Sequence, residues 1–360
     1  MQLSNQQAEA ASEILRWRQR PNNKTFVLAG YAGTGKTTLA KYLANQLGAD
    51  DVIFCAYTGK AANVLKQKGC SNAGTVHSYL YIYVDDDDEG PRFMLDPNSA
   101  MATASLVILD EYSMLPQYMI NDLESVAKKI LYLGDPFQLP PVKGEQKVDP
   151  DFFLTDVHRQ ALDSPILRAA TKIRQNETLS FSTEGDFIYQ PLSKMGDDVI
   201  FSVDQCIVGR NKTRRQWNNT FLEHYGFSNS CDDVPRNGEK IICLKNDKKL
   251  GLFNGMIGTA HNCGYANDNF YLSFDCDGQI YSNLKTAPYS FLGQDIPSQV
   301  RNRYNHFDYA YAITCHKSQG SEFESVFIYN EAWGTPEEKR RWTYTALTRA
   351  SKRAYLADRD

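Results

Sequence analysis

The sequence predicts an α/β protein built from two successive parallel-sheet domains, with a small β-hairpin inserted in the first and a small antiparallel β-barrel inserted in the second. Three observations predict it. Short apolar runs of strand type alternate with helix-type spacing, the pattern of a parallel sheet covered by helices. The segment Gly30 to Thr37, GYAGTGKT, matches G-x-x-x-x-G-K-[ST] and sits between such a run and such a helix. Residues 238–300 change character: Asn254-Gly255, Asn267-Asp268 and Asp277-Gly278 mark turns between short runs such as KIICL, MIGTA and FYLSF. On usual domain sizes, residues 1–150 form the first P-loop domain, 151–237 with 301–360 the second, and 238–300 the barrel.

The opening stretch LSNQQAEAASEILRW reads as a helix with Ser4 or Asn5 as its N-cap. It carries Gln6 and Gln7 just upstream of the P-loop strand. A glutamine amide donates and accepts, which matches the N6 and N7 edge of adenine, although exposed helical glutamines are more often only solvated. The run Thr25 to Ala29 then feeds the P-loop. Gly30, Gly33 and Gly35 let backbone N–H groups approach phosphate oxygens, and the following helix, opened by Lys36, Thr37 and Thr38, directs its N-terminus at the anion. Lys36 would reach the β- and γ-phosphates of a nucleoside triphosphate, and the Thr37 hydroxyl would hold Mg²⁺.

Val52 to Ala56 reads as the next strand, followed by YTGKAANVLKQKG, a turn and a helix. Thr75 and His77 open the apolar stretch GTVHSYLYIYV, where a lone histidine is by default structural. Tyr79, Tyr81 and Tyr83 alternate, DDDDEGP intervenes, and RFML follows, which predicts a hairpin within 79–103. Its four aspartates would repel phosphates at the tip. The strand Leu106 to Leu109 ends in Asp110-Glu111. Near a P-loop, such a pair lets Asp110 orient the Mg²⁺ shell and Glu111 take the proton of the attacking water. The strand Lys129 to Leu133 runs into GDPFQLPPV, where Gln138 offers a neutral amide to the γ-phosphate or to water.

The second set of elements begins at Phe152. Arg159 lies early in it; Gln205 to Val208 leads into GRNKTRRQWNN, and Ala310 to Thr314 into CHKSQGSEF. Ser325 to Tyr329, RRWTYTALTRA and a strand near Ala354 to Ala357 close the chain.

At 42% hydrophobic and 23% charged, the 360 residues have the composition of an ordinary globular protein. The net charge of -4 supplies no global attraction to nucleic acid or anionic membrane, so such a partner must meet a local basic surface. The eight cysteines are scattered without metal-ligand spacing, which points to reduced thiols. Met1 to Pro21 lacks the apolar core of a signal peptide and no run is long enough for a membrane span, which points to an intracellular protein.

Taken together, LSNQQ, GYAGTGKT, YTGKAA, GTVHS, VILDEYS, GDPFQLPPV, VHRQ, ITCHKSQGSEF and YTALTRA, in this order, resemble the motifs of a superfamily 1B helicase of the Dda and RecD-like group. The resemblance covers nearly the whole chain. It implies two RecA-like domains, ATP and Mg²⁺ as cofactors, and an ATP-dependent DNA helicase moving 5′ to 3′ on single-stranded DNA by hydrolysis in the cleft between them. Gln7 would contact adenine, Gln138 would couple hydrolysis to movement, and Arg159 and Arg349 would be arginine fingers from the second domain. Gly320 and Glu322 would lie near the nucleotide. Thr58, Thr75, His77, Thr314 and His316 would face the nucleic-acid strand. The insertion at 238–300 resembles an SH3-like barrel, and the hairpin resembles the group's short pin, with Phe93 either a strand-splitting wedge or a residue that packs the hairpin.

This sequence departs from the family pattern in two places. Tyr31 and Tyr57 stand where relatives often have proline, and Tyr57 there could stack on a base. The resemblance also implies single-stranded DNA and single/double-strand junctions as partners, with single-strand-binding or replication proteins as further candidates and a monomer as the working state. The chain begins close to LSNQQ and ends soon after YTALTRA, so little beyond a motor is expected. Two other readings stay open: a translocase that displaces proteins without separating strands, and a regulatory subunit of a larger complex. Motifs that face the backbone also leave RNA open as the track.

Overall fold

The computed structural model describes residues 3–48, 51–86, 90–96, 98–140, 149–156, 164–227, 234–247, 249–297 and 300–360. Internal contacts divide the chain into two units, Met1–Arg174 and Gln175–Asp360.

In the first unit, α1 (Asn5–Arg18) starts at a capping box: the Gln7 amide donates to the Ser4 hydroxyl, and the Ser4 amide donates to the Gln7 side chain. Its buried stripe, Ala10, Ala11, Ile14 and Trp17, has helical spacing. The elements that follow are β1 (Thr25–Gly30), α2 (Lys36–Leu47), β2 (Val52–Ala56), α3 (Gly59–Gln67), β3 (Ala73–Thr75), α4 (Val76–Leu80), β4 (Tyr81–Asp86), β5 (Gly90–Leu95), α5 (Ala100–Thr103) and β6 (Leu106–Asp110). Then come α6 (Gln117–Val126), β7 (Ile130–Gly134), β8 (Phe152–Leu154) and α7 (Pro165–Arg174).

The sheet has the order β3-β2-β6-β7-β1-β8, and every pairing in it is parallel. Both faces are covered. Phe26, Leu28, Phe54, Ile108 and Leu131 pack toward α1, α2 and α3, while Val27, Cys55, Val107, Leu109 and Tyr132 pack toward α4 and α6. Strands buried on both faces read as continuous apolar runs, which is why they were visible in the sequence.

Two boundaries in this unit differ from expectation. Phe152 does not open the second domain: β8 pairs with β1, because the Asp151 carboxylate accepts from the Val27 amide and draws the segment along the P-loop strand. The first unit therefore runs past residue 150, to Arg174. The hairpin is shorter than 79–103. Thr75 caps α4 by accepting from the Ser78 amide, so Tyr79 is helical and the hairpin is β4 with β5, in the register Tyr83↔Phe93.

The second unit contains β9 (Ser182–Glu184), β10 (Phe187–Pro191), α8 (Asp197–Ile200), β11 (Gln205–Val208) and α9 (Asn211–His224). Barrel strands β12 (Lys240–Cys243), β13 (Ile257–Ala266), β14 (Asn269–Cys276), β15 (Gln279–Ala287) and β16 (Asn305–Tyr309) follow. The unit ends with β17 (Ala312–Thr314), α10 (Cys315–Ser318), β18 (Phe323–Tyr329), α11 (Pro336–Leu347) and β19 (Ala350–Asp358).

Its sheet has the order β17-β11-β18-β19-β10-β9, parallel except for the antiparallel edge strand β9. The insertion is a closed five-stranded barrel around Phe270, Leu272, Phe274 and Phe307. Its limits exceed 238–300, since β16 closes it by pairing with both β12 and β15. Lys317 of α10 donates to Asn254 between barrel strands, which ties the barrel to the end of β17. The cysteines of the described residues are free. Among those residues no helix is long and apolar enough to cross a membrane.

Candidate nucleotide and nucleic-acid sites

The P-loop follows β1, and its glycines do separate jobs. A Cβ on Gly30 would lie 2.8 Å from Thr34 Oγ1 and 2.9 Å from Leu154 Cβ, so the strand end admits no side chain. Gly33 and Gly35 have φ of 79° and 75°, a region unfavourable for residues with a Cβ. That path turns the chain into α2 with Lys36, Thr37 and Thr38 in its first turn. Lys36 Nζ donates to the carbonyls of Gly30 (2.7 Å) and Tyr31 (3.0 Å), which holds a cation over the loop.

Asp110 ends β6. One carboxylate oxygen accepts from the Thr37 hydroxyl at 3.0 Å and the other from the Glu111 amide at 3.0 Å. Glu111 itself has φ 55°, a left-handed conformation that costs a residue with a Cβ on the order of 1–2 kcal/mol. After β7, the Gln138 amide donates to the Asp135 carbonyl, and the side chain of Gln138 is buried at 5% exposure. Its Oε1 has no hydrogen-bond partner among the described residues. Lys36, Thr37, Asp110, Glu111 and Gln138 thus gather at the C-terminal ends of neighbouring strands β1, β6 and β7, where ligands bind in open α/β sheets. The Thr37 hydroxyl and Asp110 carboxylate are hard oxygen donors side by side, a set that fits Mg²⁺.

Gln7 is not a solvated helix residue. It is 2% exposed, and its Nε2 donates to the Thr34 carbonyl of the P-loop at 3.1 Å. Gln6 binds elsewhere: its amide donates to Phe153 and Thr155 and accepts from the amides of Thr155 and Asp156. Tyr31 packs edge-on to Phe153 at 4.8 Å, and the Arg174 guanidinium lies 3.4 Å from its ring centre. Sequence reasoning missed Arg174, which stands far from the P-loop along the chain and carries no motif.

Four of the residues expected to face nucleic acid in the first unit share the same sheet edge, on β2 and β3 beyond β6. Tyr57 and Thr58 follow β2, Thr75 ends β3, and His77 follows it in α4. The pairings Ala56↔Thr75 and Ala56↔Asp110 set Thr75, Ala56 and Asp110 in one row across three strands. At strand spacing the row spans about 10 Å. Thr58 and Thr75 both cap helices, accepting from the amides of Ala61 and Ser78. A threonine hydroxyl that accepts in this way still has one hydrogen to donate. His77 connects this edge to the hairpin, its ring 4.8 Å edge-on from Phe93, which is 51% exposed.

In the second unit Thr314 repeats the device at the end of β17, accepting from the Lys317 amide, with His316 in the following turn. Burial lowers the pKa of His316, favouring the neutral imidazole. Gly320 (φ 69°), Glu322 and Arg349 meet at the opposite, N-terminal edge of β18 and β19. Arg349 is buried; its guanidinium donates to the carbonyls of Thr345 (3.1 Å) and Ser321 (3.2 Å) and to the Thr348 hydroxyl. Arg159 lies outside the described residues.

The AAA domain family model matches residues 2–188, more than half of the chain, and the UvrD-like helicase C-terminal domain matches residues 309–357. The chain belongs to the superfamily 1B helicases. This 1B chain is 28% identical to the ATP-dependent RecD2 DNA helicase of Deinococcus radiodurans, over 99% of its own length and 49% of that protein. It is 32% identical to the ATP-dependent DNA helicase dda of Enterobacteria phage T4, over 41% of its length and 37% of that protein. It thus spans about half or less of these two relatives. The fold is that of Pif1 helicase from Bacteroides, solved in complex with ADP-AlF3 and ssDNA: TM-score 0.61 at 21% identity, covering 99% of this chain and 92% of that one.

Proposed function

We propose that the chain is an ATP-driven motor that moves 5′ to 3′ along single-stranded DNA and opens duplex ahead of it. One observation carries the reading: the acid that ends β6, Asp110, and the capping threonine of β3, Thr75, lie in one row on one sheet edge. A hydrolysis centre and a phosphate-facing edge then share a rigid element, so a change at one reaches the other. The named helicase activity of the relatives supports DNA as the track, and the 1B motif order supports the direction.

In this reading Lys36 and the P-loop amides hold the triphosphate, with Gln7 fixing the loop from behind. Gln138 orients a water, whose oxygen attacks the γ-phosphorus while Glu111 takes its proton and ADP leaves. Thr37 and Asp110 would hold Mg²⁺, which supplies charge neutralisation at the β- and γ-oxygens when bound. Arg349, and Arg159 with it, would stabilise charge on the transferred phosphoryl, which requires Arg349 to exchange its internal carbonyl partners for phosphate.

The test is one duplex carrying either a 5′ or a 3′ single-stranded tail, with ATP and Mg²⁺ and Lys36→Ala as the blank. Opening of the 5′-tailed duplex alone is expected. Opening of the 3′-tailed one alone would reverse the direction. ATP turnover on single strands with neither duplex opened would make the chain a translocase.

A further inference from the structure

The sequence holds four tryptophans, and three of them are used for packing. Trp17 and Trp342 are buried, and Trp217 packs on Phe221, Phe327 and Tyr329. Trp333 is 43% exposed. Single exposed rings are common on folded chains, and what sets this one apart is the setting that fixes it beside exposed cations.

Its surroundings hold it in place. Trp333 follows β18, and Gly209 follows the neighbouring strand β11. A Cβ on Gly209 would lie 2.8 Å from the indole, so glycine there is what lets the ring settle against the backbone. Glu331, buried, fixes the junction: its carboxylate accepts from the amides of Gly209 (3.2 Å) and Arg210 (3.3 Å), the Thr213 hydroxyl (2.7 Å) and Arg359 (2.9 Å). Arg210 is exposed, with its guanidinium 5.9 Å from the indole centre, and Lys212, the second residue of α9, is exposed too.

The edge of the sheet on which this cluster lies decides its ligand. Val208 pairs with Thr314, so Gly209 and Arg210 leave the sheet beside the capping threonine of β17. Arg349 and Gly320, which the family resemblance assigns to nucleotide, lie at the opposite edge. An exposed aromatic face flanked by cations and held rigid is the composition that binds single strands, the ring taking a base and the cations the backbone.

We propose that Trp333 and Arg210 form a stacking step for single-stranded DNA on the C-terminal edge of the second sheet, Trp333 taking a base face and Arg210 the adjoining phosphate. This extends the motor reading above and rests on it. Base stacking predicts tolerance of sequence and loss of the contact when the base is removed.

The test measures binding of the full chain to oligo-dT and to an abasic oligomer of equal length, by anisotropy and by tryptophan quenching. Wild type is expected to prefer oligo-dT. Trp333→Ala should weaken oligo-dT binding about five- to a hundredfold, leave abasic binding as in wild type, and abolish most of the quenching. Trp333→Phe should restore most of the affinity, which separates stacking from misfolding. Arg210→Ala should reduce the salt slope by about one phosphate contact for both oligomers. Equal loss on both oligomers with Trp333→Ala would show that the ring only positions Arg210 and would overturn the stacking step. Wild-type affinity in Trp333→Ala would overturn it too, leaving the motor reading intact and a protein partner as the use for the exposed ring. Failure of wild type to bind oligo-dT at all would overturn the motor reading itself.

Discussion

The Thr37 hydroxyl donates to the Asp110 carboxylate at 3.0 Å, joining the first turn of α2 to the end of β6. Because the second Asp110 oxygen accepts from the Glu111 amide, the carboxylate is held at both ends. Asp110→Asn preserves its shape and removes its charge. It should bind ATP but lose at least about tenfold of the affinity that Mg²⁺ adds in wild type, by titration calorimetry with and without the ion. Unchanged Mg²⁺ dependence would take Asp110 out of the metal shell.

Gln7 links the start of α1 to the P-loop by using both ends of one amide. Gln7→Ala removes half of the capping box and the donor to the Thr34 carbonyl, which should cost about 1–2 kcal/mol of stability. We expect a lower Tm together with equal weakening of ATP and GTP, since the amide is spent inside the protein. Selective loss of ATP would instead assign the adenine edge to Gln7.

What the sequence made legible was local. The β1 and β6 runs are apolar because both faces are buried, and the phosphate loop is a contiguous string whose glycines follow from backbone geometry. Distant partners were not legible. The pairing of β8 with β1 depends on Asp151 meeting Val27, and barrel closure depends on β16 returning to β12. Glu331 holds the start of α9 from more than a hundred residues away, with no motif to mark it. In GTVHSYL, a short run with Val76, Tyr79 and Leu80 fits a strand or a helix equally, and the Thr75 cap decided for the helix.

Phe93 is half in water, with one edge on His77, so its removal forfeits little packing. Phe93→Ala should leave Tm within about 2 °C of wild type, surface changes being small. If the ring splits strands, base pairs opened per ATP should fall several-fold while ATP turnover on single strands persists. Unwinding per ATP equal to wild type would leave Phe93 a hairpin-packing residue.

Tyr57 is exposed at the end of β2, next to the Thr58 cap. Tyr57→Leu keeps an apolar side chain and removes the ring face, so it should lower oligo-dT affinity by about fivefold or more. Equal affinity would make Tyr57 a surface substitution for the proline of its relatives.

Glu239 is buried immediately before β12, accepting from the Arg236 amide at 3.0 Å. Burial raises its pKa to about 7, against the pull of the Arg236 amide and charge. The folded state therefore holds this proton at pH values where the unfolded chain has released it. Between the ordinary glutamate pKa and about 7, the folded form binds more protons, so this group's contribution to stability falls as pH rises through that window. Glu239→Gln keeps an acceptor for the Arg236 amide and cannot ionise. It should flatten that part of the stability profile and be more stable than wild type at pH 8, by on the order of 1–2 kcal/mol, while matching it near pH 4.5. Urea unfolding at both pH values measures this. Parallel profiles for the two proteins would mean that the carboxylate is solvated and titrates as it does in the unfolded chain.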